Sequence, residues 1–182
     1  MTRERLYLFD TTLRDGAQTN GVDFTVHDKR VIASMLDDLG IDYVEGGYPG
    51  ANPTDTEFFA AKPKLDRATF TAFGMTRRPG RSASNDPGIA MLLDADADAI
   101  CFVAKASDYQ ERVALETTNE ENLASIRDSV TAAKAKGREV MEAFLNSPDG
   151  ASITAVYAHN DDMALGAIQA IQAAGKRPGE DI

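Results

Sequence analysis

Apolar residues in this chain fall into short unbroken runs separated by longer stretches in which they recur every three or four positions. That alternation predicts strand and helix in turn, the pattern of a parallel α/β sheet. The first run, Leu6-Tyr7-Leu8-Phe9, leads into Asp10-Thr11-Thr12-Leu13-Arg14-Asp15-Gly16-Ala17-Gln18. It reads as a buried parallel strand that delivers polar groups to the rim of a sheet. Thr25-Val26-His27-Asp28 predicts a helix opened by a capping box, with Val31, Ile32, Met35, Leu36 and Leu39 on one face and Gly40 as its stop. Strands are expected over 41–45, 68–73 and 99–103. Further helices begin at Asn52-Pro53, at Asp86-Pro87 and at Thr118, where Glu121 stands in the capping position and Leu123, Ile126, Val130 and Ala133 keep the helical period. Val140, Met141, Phe144 and Leu145 fit helical spacing better than strand alternation. After turn residues at 146–150, a fifth strand is expected over Ile153 to Tyr157 and a last helix over Met163 to Ala174.

Length narrows this pattern. With 182 residues, 43% hydrophobic and 26% charged, the chain supports one α/β domain over 1–182 with a sizeable core. A closed eight-stranded barrel needs about 250 residues. The expectation is therefore an open, mainly parallel sheet of about five strands with helices on both faces, in a flavodoxin-like order. An unpaired sheet edge would invite a homodimer. A net charge of −10 argues against nucleic acid as a partner. No apolar run approaches the roughly 18 residues of a membrane span, and the charged start lacks the features of a signal peptide. This reading predicts a cytoplasmic chain with no membrane partner. The single cysteine, Cys101, sits in an apolar run and is expected in the core, where no intramolecular disulfide is available to it.

The candidate chemistry is concentrated after the first strand. Arg14 offers a planar fork for a carboxylate or ketone oxygen, and Asp15 offers hard oxygens for a divalent cation. On residue types alone, a structural ion pair and a site are both open. His27 reads as a surface residue in a first helical turn. His159 reads as a strand-end residue, open to a rim hydrogen bond or to a metal. Gly46-Gly47 and Gly74 lack the spacing of a dinucleotide fingerprint.

The string Asp10-Thr11-Thr12-Leu13-Arg14-Asp15-Gly16-Ala17-Gln18 resembles the first-strand signature of the metal-dependent TIM-barrel synthases and lyases that act on acyl-CoA. The likeness extends through Tyr43-Val44-Glu45-Gly46-Gly47-Tyr48-Pro49, Ala72-Phe73-Gly74-Met75 and Thr117-Thr118-Asn119-Glu120-Glu121-Asn122. Within this group, which includes the 2-isopropylmalate and homocitrate synthases, it is strongest toward the citramalate synthases. The resemblance implies that residues 1–137 are a half-barrel and that the chemistry is condensation of acetyl-CoA with a small keto acid. It also implies that Arg14 and Glu45 are catalytic, that Gln18 binds substrate, and that Asp15 is a metal ligand. The implied ion is magnesium or manganese, with zinc as a further option. Tyr157-Ala158-His159-Asn160-Asp161 is similar to the family's late His-x-His-Asn-Asp motif but has tyrosine in the first histidine's place, so His159 is a second candidate ligand and binding is expected to be weak.

Residues 138–182 resemble instead a segment of the periplasmic binding proteins for galactose- and ribose-type sugars, on Val140-Met141-Glu142-Ala143-Phe144-Leu145 and Asn160-Asp161-Asp162-Met163-Ala164-Leu165-Gly166. There Asn160 and Asp161 would meet sugar hydroxyls. Together the two resemblances imply a chimera joined near residues 136–141. It would be an engineered or computationally generated scaffold without full activity, with residual acyl transfer or weak sugar binding as the alternatives.

Overall fold

The computed structural model describes residues 5–148, 150–156 and 161–182, the last stretch without the side chains of 161–164. The chain divides into two compact units. One comprises the residues up to Thr76 with Pro87–Ala104, and the other Arg77–Asp86 with Lys105–Ile182.

The first unit is a parallel sheet of four strands, β1 (Phe9–Asp10), β2 (Tyr43–Gly47), β3 (Thr69–Met75) and β4 (Ala99–Val103), in the order β1-β2-β3-β4. Helices α1 (Val26–Leu39), α2 (Pro53–Ala60) and α3 (Pro87–Asp94) connect them. Parallel neighbours need such crossovers, and right-handed crossovers between strands taken in sequence order place the helices on one face. This differs from the expected sheet of about five strands covered on both faces. No reversal of strand order occurs among the described strands, and Ile153–Val156, expected as the start of a fifth strand, pairs with none of them. Tyr157 lies outside the described residues.

The core is built by Leu13, Ala33, Val44, Phe58, Phe59, Ala68, Phe70, Ala72 and Leu92. Phe70 packs edge-on against Phe58 at 5.3 Å and lies 4.8 Å from Phe59. Glycine at position 46 is a packing requirement, since a Cβ there would stand 2.4 Å from the Phe70 ring.

Helix α1 forms for local reasons. Thr25 Oγ1 accepts from Asp28 N while the Asp28 carboxylate accepts from Thr25 N, and Gly40 closes the helix at φ 88°. Its orientation was not predicted. Ile32 and Leu36 pack on the core, but Val31, Met35 and Leu39 are exposed, and the buried line is Lys29, Ala33 and Asp37. Asp37 enters this face because its carboxylate accepts the amides of Asp66, Arg67 and Ala68 at the start of β3. The run Leu6-Tyr7-Leu8-Phe9 is also not buried: β1 is an edge strand of two residues, and Leu6 is 85% exposed.

The second unit is helical, with α4 (Asp108–Ala114), α5 (Asn119–Leu145) and α6 (Asp161–Ala173). The helical reading of 140–145 holds, because α5 runs unbroken through the expected join near 136–141. Helices α5 and α6 approach closely at Gly166, where a Cβ would meet Lys134 O at 2.6 Å. No helix among the described residues is long and apolar enough to cross a membrane.

Candidate functional site

The site forms where the chain leaves β1 and β2. Asp10 turns back on the chain beyond it, accepting from Thr12 N at 2.9 Å and from Thr12 Oγ1 at 3.1 Å. Thr11 O receives the amides of Arg14, Asp15 and Gly16. This tight turn drives Leu13 into the core and sends Arg14 out over the sheet end.

Arg14 is held on three sides. Its Nε donates to Glu45 Oε2 at 2.7 Å, its Nη1 donates to Asp15 Oδ1 at 2.9 Å, and its guanidinium carbon lies 4.1 Å from the centre of the Phe73 ring. Its Nη2 has no hydrogen-bond partner among the described residues. Glu45 is buried within β2 at 1% exposure, and its Oε1 also lacks a hydrogen-bond partner among the described residues. Cys101 on β4 is half-buried rather than a full core residue. Burial first, then the Glu45 carboxylate, pushes its thiol up to about 11, which removes it as a nucleophile near neutral pH.

A cleft of about 350 Å³ opens beside Arg14, lined also by Gln18, Lys29, Tyr48, Asn52, Asp55 and Phe73. Gln18 is an exposed residue of the short 3-10 turn Gly16–Gln18. Of the expected site residues, Arg14 and Gln18 line the cleft, while Asp15 and Glu45 join them through their hydrogen bonds to Arg14. Among the other expected site residues, His159 and Asn160 lie outside the described residues, as does the side chain of Asp161. His27 is exposed on α1, as expected.

Sequence reasoning missed Lys29, Asp55, Tyr48, Asn52 and Phe73. A lysine inside a helix reads as solvated surface, so nothing local marks Lys29 as buried. Asp55 carried a faint signal, as the acidic third position after the Asn52 cap.

A divalent ion does not fit the described residues as a complete centre. The Asp15 side chain is 62% exposed and shares an oxygen with Arg14, and among the described residues no three His, Cys, Asp or Glu side chains gather as a ligand set.

A parallel sheet whose strands follow one another in chain order, joined by helices, is an arrangement shared with solved structures. The HMG-CoA lyase from Brucella melitensis superposes with a TM-score of 0.57 over 92% of this chain and 69% of that one, at 14% identity, which shows a common TIM-barrel-type fold. The chain belongs to the HMGL-like family, whose model matches residues 5–174. It is 45% identical over 175 residues to an (R)-citramalate synthase from Streptomyces coelicolor, covering 94% of this chain and 32% of that protein. It is 42% identical over 169 residues to one from Aquifex aeolicus, covering 92% of this chain and 31% of that protein. The chain thus spans about a third of the length of these curated relatives.

Proposed function

We propose that this chain carries the keto-acid half of a citramalate-synthase-like acyltransferase site, which joins the acetyl group of acetyl-CoA to a small 2-oxo acid such as pyruvate. The observation that carries the reading is the Arg14 constellation. Its guanidinium is fixed by Glu45, Asp15 and Phe73, with Nη2 left free beside a cleft of substrate size. A guanidinium so placed can accept a 2-oxo acid through its carboxylate and ketone oxygens. Because the fork is held before the ligand arrives, little reorganisation opposes the growth of negative charge on the ketone oxygen as the new carbon–carbon bond forms. Gln18 supplies a neutral donor and acceptor on the same rim. The similarity to the two (R)-citramalate synthases supports the substrate class.

The part played by these residues is binding and orienting. Groups that complete catalysis, including a metal centre, are not gathered among the described side chains.

Calorimetric titration of pyruvate into the protein, with and without Mn²⁺, tests the proposal beside Arg14→Ala and Asp15→Ala variants. Saturable binding that weakens at least about tenfold in Arg14→Ala is expected. Identical heats from wild type and Arg14→Ala would overturn it.

A further inference from the structure

We propose that Lys29 is a positioning residue, whose buried ammonium sets the Arg14–Glu45 pair by holding the backbone carbonyl next to each of them. The inference rests on the keto-acid reading only for its ligand, since the geometry stands independently. Lysine is rarely buried unless paired, yet Lys29 is 2% exposed. Its Nζ donates to Leu13 O at 2.8 Å, to Gly46 O at 2.9 Å and to Asp55 Oδ1, using all three donors of the ammonium. Leu13 precedes Arg14 and Gly46 follows Glu45.

Strand pairing cannot do this work. The β1–β2 ladder covers only Phe9 with Tyr43 and Asp10 with Val44. Arg14 lies four residues past its end, so no sheet hydrogen bond between these strands fixes its distance from Glu45. The ammonium bridges the two exits where the ladder stops. Asp55 extends the hold to the cleft wall, its Oδ2 accepting from Tyr48 N at 2.9 Å and from Asn52 Nδ2 at 3.0 Å. Glycine at position 47 gives the carboxylate room, because a Cβ there would stand 2.6 Å from it.

Two outcomes follow if Lys29 acts through Arg14. The Arg14 Nε–H loses protection from solvent exchange when Lys29 is neutralised, and pyruvate affinity falls about tenfold with it. Lys29→Met alone leaves the Asp55 charge buried without a partner. The deciding variant is therefore Lys29→Met combined with Asp55→Asn, which removes both charges and keeps an acceptor for Tyr48 N, with Asp55→Asn alone as the control. Arg14 Nε–H exchange is read by side-chain NMR and pyruvate binding by calorimetry, with circular dichroism establishing that each variant is folded. At least about tenfold faster Arg14 Nε–H exchange in the folded double variant, and not in Asp55→Asn, is the expected result. Wild-type exchange in that folded variant would overturn the proposal, since a purely structural ion pair would leave the Arg14 proton unmoved. If wild-type protein binds no pyruvate, the keto-acid reading fails while the exchange measurement still decides the role of Lys29.

Discussion

The two units of this chain bury different kinds of residue, and the candidate site sits on the more apolar of them. In the sheet unit, Phe58, Phe70, Leu13, Ile89, Leu92 and Val44 are almost fully buried, and the charges they surround are each committed to short hydrogen bonds. In the helical unit the buried apolar set is Met141, Ala167, Ala170 and Ile171, accompanied by the polar Arg77, Glu111, Asn122, Ser125 and Ser129. Arg77 is itself buried, but its partners Glu121 and Asp128 are 34% and 46% exposed, whereas the Lys29 and Asp55 side chains are only 3% and 10% exposed. A site that must hold Arg14 against Glu45 within a few tenths of an ångström needs stiff support. Large interlocking side chains on a parallel sheet supply it, and small residues between two helices supply less.

That contrast can be broken most directly at the aromatic core. Phe70→Ala should cost about 4 kcal/mol, because the cavity left between Phe58 and Phe59 cannot collapse, whereas Ile171→Val in the helical unit should cost about 1 kcal/mol. Urea unfolding followed by amide exchange in each unit measures both, and equal costs would erase the distinction.

The next effect lies at Asp37. Burial raises its carboxyl pKa, but the amides of Asp66, Ala68 and Arg67 outweigh burial and hold it below the usual carboxylate value. A folded-state value depressed in this way contributes stability that is complete above the unfolded value of about 3.9 and is lost as pH falls through the folded one. Asp37→Ala should therefore cost about 3 kcal/mol at pH 7 by orphaning buried amides. The gap between variant and wild type should narrow below about pH 4. A gap that stays constant with pH would remove the carboxylate from the account.

The smallest effect sharpens the comparison at the helix caps. Thr25→Ala should cost about 1 kcal/mol, since it dismantles a reciprocal box, and Thr118→Ala about half of that. At α5 the Thr118 side chain accepts from Glu121 N, but the Glu121 carboxylate is taken by Arg77 Nη1 and Gly80 N instead of reaching back to the cap. Thermal unfolding of both variants checks the ratio.

These two caps mark the boundary between what the sequence decided alone and what it did not. The same signature, threonine with an acidic residue three positions on, starts a helix at both sites because a cap needs only neighbours in the chain. Where the acidic side chain finally goes depends on Arg77, 44 positions away. The strands near 43–47, 69–75 and 99–103, the helices between them and the helical nature of 140–145 were likewise legible, since periodicity and turn residues act over a few positions. So was the closeness of Arg14 to Glu45 and Gln18, through the two motifs that carry them. The strand order, the exposed edge at Leu6 to Phe9, the inward turn of Lys29 and Asp37, and the unpaired stretch Ile153–Val156 were not. Each of those is settled by which distant segment offers a partner. A buried lysine is stable only where two carbonyls and a carboxylate, 16 to 26 residues away along the chain, converge on one point in space.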